Sequence, residues 1–164
     1  MIGLYTGTRK TAILKLQYQP NTTGGWVDLD RGIMHRLGSG QRQTKKRQPP
    51  TPIPAPLLAH LRRWARTGDR FVVTEGEGRI GDIKTAWRRA CREAGLQEVT
   101  PHTLRHTAIT WAMQRGSQLW AAAGLFGVSV QTLERTYGHQ HPEHMKSAVD
   151  AMARRPSKLH ARAT

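Results

Sequence analysis

Residues 100–112, TPHTLRHTAITWA, carry the clearest helix signal in the chain. Thr100 is a capping residue type, and Pro101 suits the first helical position. Four apolar residues follow at the i, i+4, i+7, i+8 spacing of a helix with one apolar face: Leu104, Ala108, Trp111 and Ala112. The pattern predicts an amphipathic helix that packs on a core.

Two charged or polar residues of this segment, His102 and Arg105, stand three positions apart at the predicted helix start. That spacing places them on one face. Because a helix N-terminus favours anions, the pair and the terminus could converge on one phosphate. A His-x-x-Arg pair by itself is also typical of a solvated helix cap.

The charge of the whole chain favours a polyanionic partner. It has 164 residues with 26 Lys+Arg against 11 Asp+Glu, which gives a net charge of +15 and a pI near 11.3. From Arg31 to Arg66 there are nine basic residues and no acidic one. This block predicts salt-dependent binding of nucleic acid. It is rich in Pro and Gly, which argues against a membrane-surface helix.

Length and composition predict one domain without membrane spans. The chain has the size of a single domain, and no apolar run approaches the ~18 residues that a span needs. The single cysteine, Cys91, excludes an internal disulfide framework and a cysteine-built zinc site. The start of the chain lacks the apolar stretch of a signal peptide, so a cytoplasmic location is expected.

The patterns predict an α+β fold, dominated by helices, with one small antiparallel sheet. The sheet is expected to contain a hairpin, Trp26–Asp30 with Gly32–Leu37, and an edge strand at Thr51–Pro54. Further helices are predicted at Thr11–Gln17, Ala55–Ala65, Gly81–Ala94, Gln118–Phe126, Val130–Thr136 and Pro142–Ala153. Residues 154–164 are expected to form a basic, mobile tail.

Four motifs occur in an order typical of one family. They are Tyr5–Arg9 (YTGTR), Thr44–Arg47 (TKKR) with Thr51–Pro54 (TPIP), His102–Thr107 (HTLRHT), and Leu125–Gly127 (LFG) with Tyr137. Val128 lies 23 residues after Arg105, and Tyr137 lies nine residues after Val128. Over roughly residues 2–150 the chain resembles the catalytic domain of tyrosine recombinases, the phage-integrase family.

The resemblance implies a reaction and a role for each matched residue. Tyr137 would attack a phosphodiester of double-stranded DNA and form a 3′-phosphotyrosyl link, which needs no ATP to reseal. Arg9 and Arg105 would clamp the phosphate, and His102 would assist on the attacking side. Lys45 would be the general acid by register, with Lys46 as the alternative. Arg42, Lys46 and Arg47 would contact DNA phosphates.

The resemblance also implies the setting of that reaction. It is site-specific recombination or integration by transesterification, without metal or cofactor. Protomers would associate on DNA as a dimer or tetramer, in the cytoplasm of a bacterium, at the nucleoid, with phage or mobile-element origin. The catalytic domain would span residues 1–153.

Three departures from the family pattern predict a weakened or decayed enzyme. Val128 stands where the family has histidine or tryptophan, and the loss of one such donor costs ~10²–10³ in rate. Ala12 stands where an acidic residue is common. The chain begins just before the Tyr5–Arg9 motif, so the family's N-terminal core-binding domain and first catalytic-domain helix are expected to be missing.

Other interpretations use some of the same residues. Ala121–Tyr137 fits a helix-turn-helix with Thr132 and Arg135 on a recognition helix, which makes a non-catalytic DNA-binding protein the alternative. The spacing of His102 and His106, or of His139, His141 and His144, does not match a zinc pattern, so no metal is expected. Met145, Ala148, Val149 and Met152 form an apolar stripe that covers either the chain's own core or a partner.

Overall fold

The computed structural model describes residues 1–43, 47–76 and 78–153. Helices dominate these ranges, and they carry two small antiparallel sheets. The α-helices are α1 Ile2–Thr6, α2 Lys10–Ile13, α3 Ala55–Ala65, α4 Lys84–Glu93, α5 Thr103–Gln114, α6 Leu119–Phe126, α7 Val130–Tyr137 and α8 Lys146–Ala153. The strands are β1 Trp26–Asp28, β2 Ile33–His35, β3 Thr51–Pro52, β4 Thr74–Glu75 and β5 Gly78–Arg79. The α+β, helix-dominated prediction is confirmed.

The larger sheet has the order β1-β2-β3. Its central pair places Val27 opposite Met34, and both side chains are buried, so one face of the hairpin covers the core. Pro52 lies in the edge strand, where a residue without an N–H group does not interrupt a ladder. The predicted hairpin and edge strand are confirmed. The ribbon formed by β4 and β5 is a second sheet that the sequence patterns did not indicate.

Two apolar clusters form the core. The first joins the larger sheet to α3 and the segments around α1 and α2, with Leu16, Val27, Met34, Ile53, Leu57 and Leu61 buried. The second joins α5, α6 and α7, with Ala108, Ile109, Met113, Ala122, Phe126, Leu133 and Tyr137 buried. Helix α1 packs on α5 and so connects the two clusters. The residues with predicted chemistry lie near this junction.

Helix α5 begins later and faces the core differently than the sequence predicts. Pro101 and His102 form a turn, and His102, without a side-chain cap bond, occupies the N-cap, so Thr100 lies before the start of the helix. The Thr100 N–H donates to the Thr103 hydroxyl. Trp111 is 42% exposed, while Met113 is fully buried. The real stripe follows the buried residues of the helix: Arg105, Ala108, Ile109 and Met113. A buried arginine thus occupies a core position that the pattern assigned to apolar residues.

Helix lengths differ elsewhere too. Helix α2 ends at Ile13, not at Gln17: Leu14 and Lys15 form a turn that closes the helix, and Gln17 then bridges to Trp26 and Phe71. Helix α3 has the predicted bounds, and α7 extends one residue further, to Tyr137. Helix α4 is shorter than predicted at both ends. The predicted tail, residues 154–164, lies outside the described residues.

Helix α8 begins at Lys146, after a turn at residues 142–145, and buries none of its residues. Its apolar stripe is exposed, with Met152 at 87%. The interpretation that the stripe covers the chain's own core is therefore wrong. No helix in the described ranges is long and apolar enough to cross a membrane.

Candidate active site

Arg105 is the centre of the site. Its side chain is buried, with 5% of the residue exposed. One terminal nitrogen donates to the Gly7 carbonyl at 2.6 Å, and the other donates to the Phe126 carbonyl at 2.5 Å. The Phe126 carbonyl lies at the end of α6, where the helix leaves such groups without partners. Arg105 therefore joins the N-terminal turn to the end of α6.

The N-terminal turn depends on Gly7. This residue has φ +60°, and a Cβ atom there would lie 2.6 Å from the Phe126 ring. Only glycine fits both the left-handed backbone and this close approach. The turn then places Arg9 at the start of α2, where its guanidinium donates to the Arg47 carbonyl at 3.4 Å.

The two arginines predicted to clamp a phosphate are close enough to affect each other. Burial first, and the charge of Arg9 second, lower the pKa of Arg105 to about 10, while Tyr137 opposes this effect. Arg105 remains cationic near pH 7. Among the described residues, no hydrogen bond or ion pair joins a carboxylate to either arginine, so the positive potential of the two groups favours the binding of an anion.

Arg36 is a buried arginine of the site that sequence reasoning missed. It belongs to the basic block between Arg31 and Arg66, yet it is only 4% exposed. Its three nitrogens donate to the Thr8 hydroxyl and to the Thr6 and Leu125 carbonyls, at 2.7–3.0 Å. Burial, then the charges of Arg105 and Arg9, lower its pKa to about 10. No signal in the sequence separates Arg36 from its exposed basic neighbours.

Tyr137 lies at the end of α7, whose start is capped by the Ser129 hydroxyl. The residue is 8% exposed and belongs to the second apolar cluster. Its hydroxyl nevertheless reaches the opposite helix, where it lies 2.5 Å from Nδ1 of His106 on α5. Burial raises the pKa of Tyr137, and the charge of Arg105 partly offsets the rise. The side chain is therefore a neutral phenol near pH 7.

His102 occupies the position before α5, one helical turn from His106. The two imidazole rings stand edge to face, with centroids 4.7 Å apart. Burial, then the charges of His106, Arg105 and Arg9, lower the pKa of His102. The predicted His102–Arg105 pair thus does lie beside Tyr137, but the contact with the phenol is made by His106. His106 is in the quoted HTLRHT motif, and its i, i+4 spacing from His102 was the available signal.

The turn after α6 carries the departure from the family pattern. Gly127 has φ +61°, and a Cβ atom there would lie 2.6 Å from the Arg47 carbonyl. Val128 follows and packs against the second apolar cluster. Among the described residues, no hydrogen bond brings His139 or His141 to the site, since His141 accepts instead from the Glu143 N–H.

Several predicted DNA contacts border this turn. Arg42 and Arg47 are exposed on either side of residues 44–46. Lys45 and Lys46 lie outside the described residues. In the ranges that the structure covers, no three metal-ligating side chains come together.

The comparisons with known proteins identify the family. The family model described as "Phage integrase family" matches residues 1–144. The chain belongs to the phage integrase family, whose curated members similar to it are integrases and tyrosine recombinases. This membership favours a recombinase over the isolated helix-turn-helix interpretation.

Curated relatives cover the same region. The integrase of Salmonella phage P22 is 34% identical over an alignment of 159 residues, and the match covers 87% of this chain and 38% of that protein. The tyrosine recombinase XerA of Pyrococcus furiosus is 32% identical over an alignment of 155 residues, and the match covers 88% of this chain and 50% of XerA. The chain thus spans about half or less of the length of these relatives.

Solved structures agree in fold. A crystal structure of XerA recombinase aligns with a TM-score of 0.64 and 22% identity, over 94% of this chain and 56% of that one. The Tn1549 transposon integrase, solved in complex with circular intermediate DNA, aligns with a TM-score of 0.70 and 15% identity, over 92% of this chain and 57% of that one. At these identities the match establishes the fold alone.

Proposed function

We propose that residues 1–153 are the catalytic domain of a tyrosine recombinase that performs site-specific recombination or integration of double-stranded DNA. The observation that carries this proposal is the position of Tyr137. Its hydroxyl lies beside an imidazole and within the electrostatic influence of Arg105, in a chain matched by the integrase family model.

Tyr137 is the proposed nucleophile. Its hydroxyl oxygen forms a bond to the scissile phosphorus, and the bond from phosphorus to the 5′-oxygen breaks. The leaving oxygen takes a proton, for which Lys45 is the proposed donor by register, with Lys46 as the alternative. The phosphotyrosyl link preserves the bond energy, so a free 5′-hydroxyl reverses the reaction without ATP.

Arg105 and Arg9 are the proposed phosphate clamp. A guanidinium has five N–H donors, and Arg105 spends one on each of two carbonyls. Three donors remain for the phosphate oxygens. Because the two carbonyl bonds fix the group before DNA arrives, its charge is in place when the transition state forms. His102, at the start of α5, is the proposed third contact to the phosphate.

DNA contacts outside the site are proposed for the exposed Arg42 and Arg47, and for Lys46. The exposed stripe of α8 is the proposed surface for a second protomer on DNA, as a dimer or tetramer. A cytoplasmic location at the nucleoid belongs to the same proposal, because the proposed substrate is found there.

Covalent trapping tests the proposed function. Nicked duplex fragments from the DNA that flanks the gene are mixed with the protein, denatured, and searched for a protein–DNA adduct by peptide mass. We expect an adduct on Tyr137 that disappears in Tyr137→Phe. Tyr5→Phe is the matched control, since Tyr5 is 41% exposed and no hydrogen bond among the described residues joins its hydroxyl to Tyr137 or His106, and it should keep the adduct.

The opposite results separate the two functions. An adduct that persists in Tyr137→Phe would show that another residue is the nucleophile. Binding of DNA that weakens steeply with salt, without any adduct, would favour the helix-turn-helix alternative.

A further inference from the structure

We infer that His106 is a catalytic residue that accepts the Tyr137 proton during attack on the phosphate. The inference rests on the proposed function. It assigns the acceptance of the Tyr137 proton to His106, while the proposed role of His102 is limited to a contact with the phosphate.

The contact is direct. The Tyr137 hydroxyl and Nδ1 of His106 are 2.5 Å apart, within the reach that proton transfer requires. A phenol has one proton to donate, so Nδ1 accepts it when the ring carries its own proton on Nε2. The two residues come from different helices, α5 and α7, that pack on each other. The contact is therefore fixed by tertiary packing.

Tyr137 needs such an acceptor because its environment keeps it neutral. The pKa of the phenol is raised by burial, so attack near pH 7 begins from the protonated form. As the bond from the phenol oxygen to phosphorus forms, the proton passes to Nδ1 of His106. The bond to the 5′-oxygen breaks, and that oxygen takes its proton from the general acid on the other side. In rejoining, His106 returns the proton to the phenol oxygen.

His102 is placed for a different task. In the described part of the chain no hydrogen bond joins it to Tyr137, and its ring stands perpendicular to that of His106. It faces the charges of Arg105 and Arg9 at the start of α5, where the phosphate is proposed to bind.

The groups that contact His106 are His102 on its own helix and Tyr137 on α7. Neither is a carboxylate. Among the described residues, no hydrogen bond or ion pair joins a carboxylate to either imidazole.

The kinetic test measures single-turnover adduct formation on a nicked duplex that reacts with the wild-type protein. His106→Gln keeps a hydrogen-bond acceptor but cannot take a proton, and we expect a rate about 10²-fold lower. His60→Gln, at an exposed site on α3 where the imidazole contacts Arg63, should leave the rate unchanged. Since His106 lies on the exposed side of α5, the substitution should not affect folding.

The pH dependence separates a chemical role from a positioning one. Only a neutral imidazole accepts a proton, so the wild-type rate should rise with pH in the acid range, as a larger fraction of the imidazole is neutral, and then level off. His106→Gln should lose this rising limb. His102→Gln should be slower but keep the limb. A His106→Gln rate within about threefold of wild type, or an unchanged profile, overturns the inference.

A second measurement does not depend on DNA. Ultraviolet absorbance follows the ionisation of Tyr137 as the difference between the wild-type protein and Tyr137→Phe. His106→Phe removes the acceptor of the neutral phenol, so Tyr137 should ionise at lower pH, whereas His106→Gln should stay near wild type. An unchanged titration in His106→Phe overturns the contact and the inference. If the titration shifts but the wild-type chain gives no adduct, the proposed function fails, and the proton-acceptor role fails with it.

Discussion

The side chains of Arg36 and Arg105 are both buried and both bind backbone carbonyls, but they differ in how many of their nitrogens already donate to protein groups. Arg36 donates to protein groups from all three of its nitrogens, which uses three of its five N–H donors. Arg105 donates from its two terminal nitrogens, so Nε and one N–H of each terminal nitrogen are left for a phosphate. We therefore expect Arg36 to act on stability, and Arg105 on stability and reactivity together.

Arg36→Met tests this division at the level of one residue. It leaves two carbonyls and a hydroxyl buried without their donor, so the free energy of unfolding should fall by about 3 kcal/mol. Urea unfolding followed by circular dichroism measures the change. Arg42→Met, at an exposed position in the same basic block, is the matched control and should shift stability by less than about 0.5 kcal/mol. Equal effects of the two substitutions would contradict the structural role of Arg36.

At the level of elements, the turn between α6 and α7 does more than reverse the chain. The Gly127 backbone approaches the Arg47 carbonyl, and that carbonyl also accepts from Arg9. The turn therefore packs against the loop at Arg47, whose carbonyl accepts the hydrogen bond from Arg9, one of the two proposed clamping arginines.

Gly127→Ala should disturb this contact. A Cβ atom there would meet both the Arg47 carbonyl and Pro49, in a backbone with positive φ. Gly116→Ala is the matched control, because it also has positive φ (+76°) but nothing within 4 Å of the added atom. Both substitutions carry the left-handed strain of about 1 kcal/mol. We expect only Gly127→Ala to slow adduct formation as well, and a rate unchanged from that of Gly116→Ala would argue against the contact.

Sequence patterns predict the position of an element best where signals inside that element determine its bounds. The bounds of α3 follow from its helical spacing and Pro56 at its start, and the hairpin follows from two apolar strands around Gly32. The predicted start of helix α5 is too early because residues 101–102 form a turn and His102 occupies the N-cap, so the capping residue type at Thr100 does not mark the start. Its buried face is misassigned because hydropathy patterns assign buried positions to apolar residues, whereas the charged Arg105 is buried.

The same limit applies to the site. Motif spacing selects Arg9, His102, Arg105 and Tyr137, and the structure places them close together. It does not indicate that His106 contacts the phenol, or that Arg36 is buried, because both facts depend on which helix faces come together.

At the level of the whole molecule, α8 and the turn before it expose apolar side chains. Met145 in the turn, and Val149 and Met152 on α8, are each more than 60% exposed. A stripe of this kind is costly in water and typical of an interface. Helix α8 and the site at Tyr137 are joined by only a short segment, so assembly and reaction are expected to be linked.

Val149→Asp should weaken assembly on DNA, because a charge in an apolar interface is poorly solvated. Sedimentation of a labelled duplex with increasing protein should show complexes with several protomers for the wild-type chain and smaller ones for the variant. Ser147→Asp places the same charge on the opposite face of α8 and should behave like wild type. Identical sedimentation of both variants and the wild type would exclude this stripe as the interface.

The hydrogen bonds of the two buried arginines also set the order in which the chain can fold. Arg36 reaches across 89 residues to Leu125, and Arg105 reaches across 98 residues to Gly7. Contacts between residues so far apart in the sequence form late, because closing a long loop costs conformational entropy before the contact can stabilise the fold. Until both closures are complete, Arg36 is not bonded to α6 and Arg105 is not bonded to the N-terminal turn. The arrangement that is proposed to react with DNA therefore exists only in the finished fold.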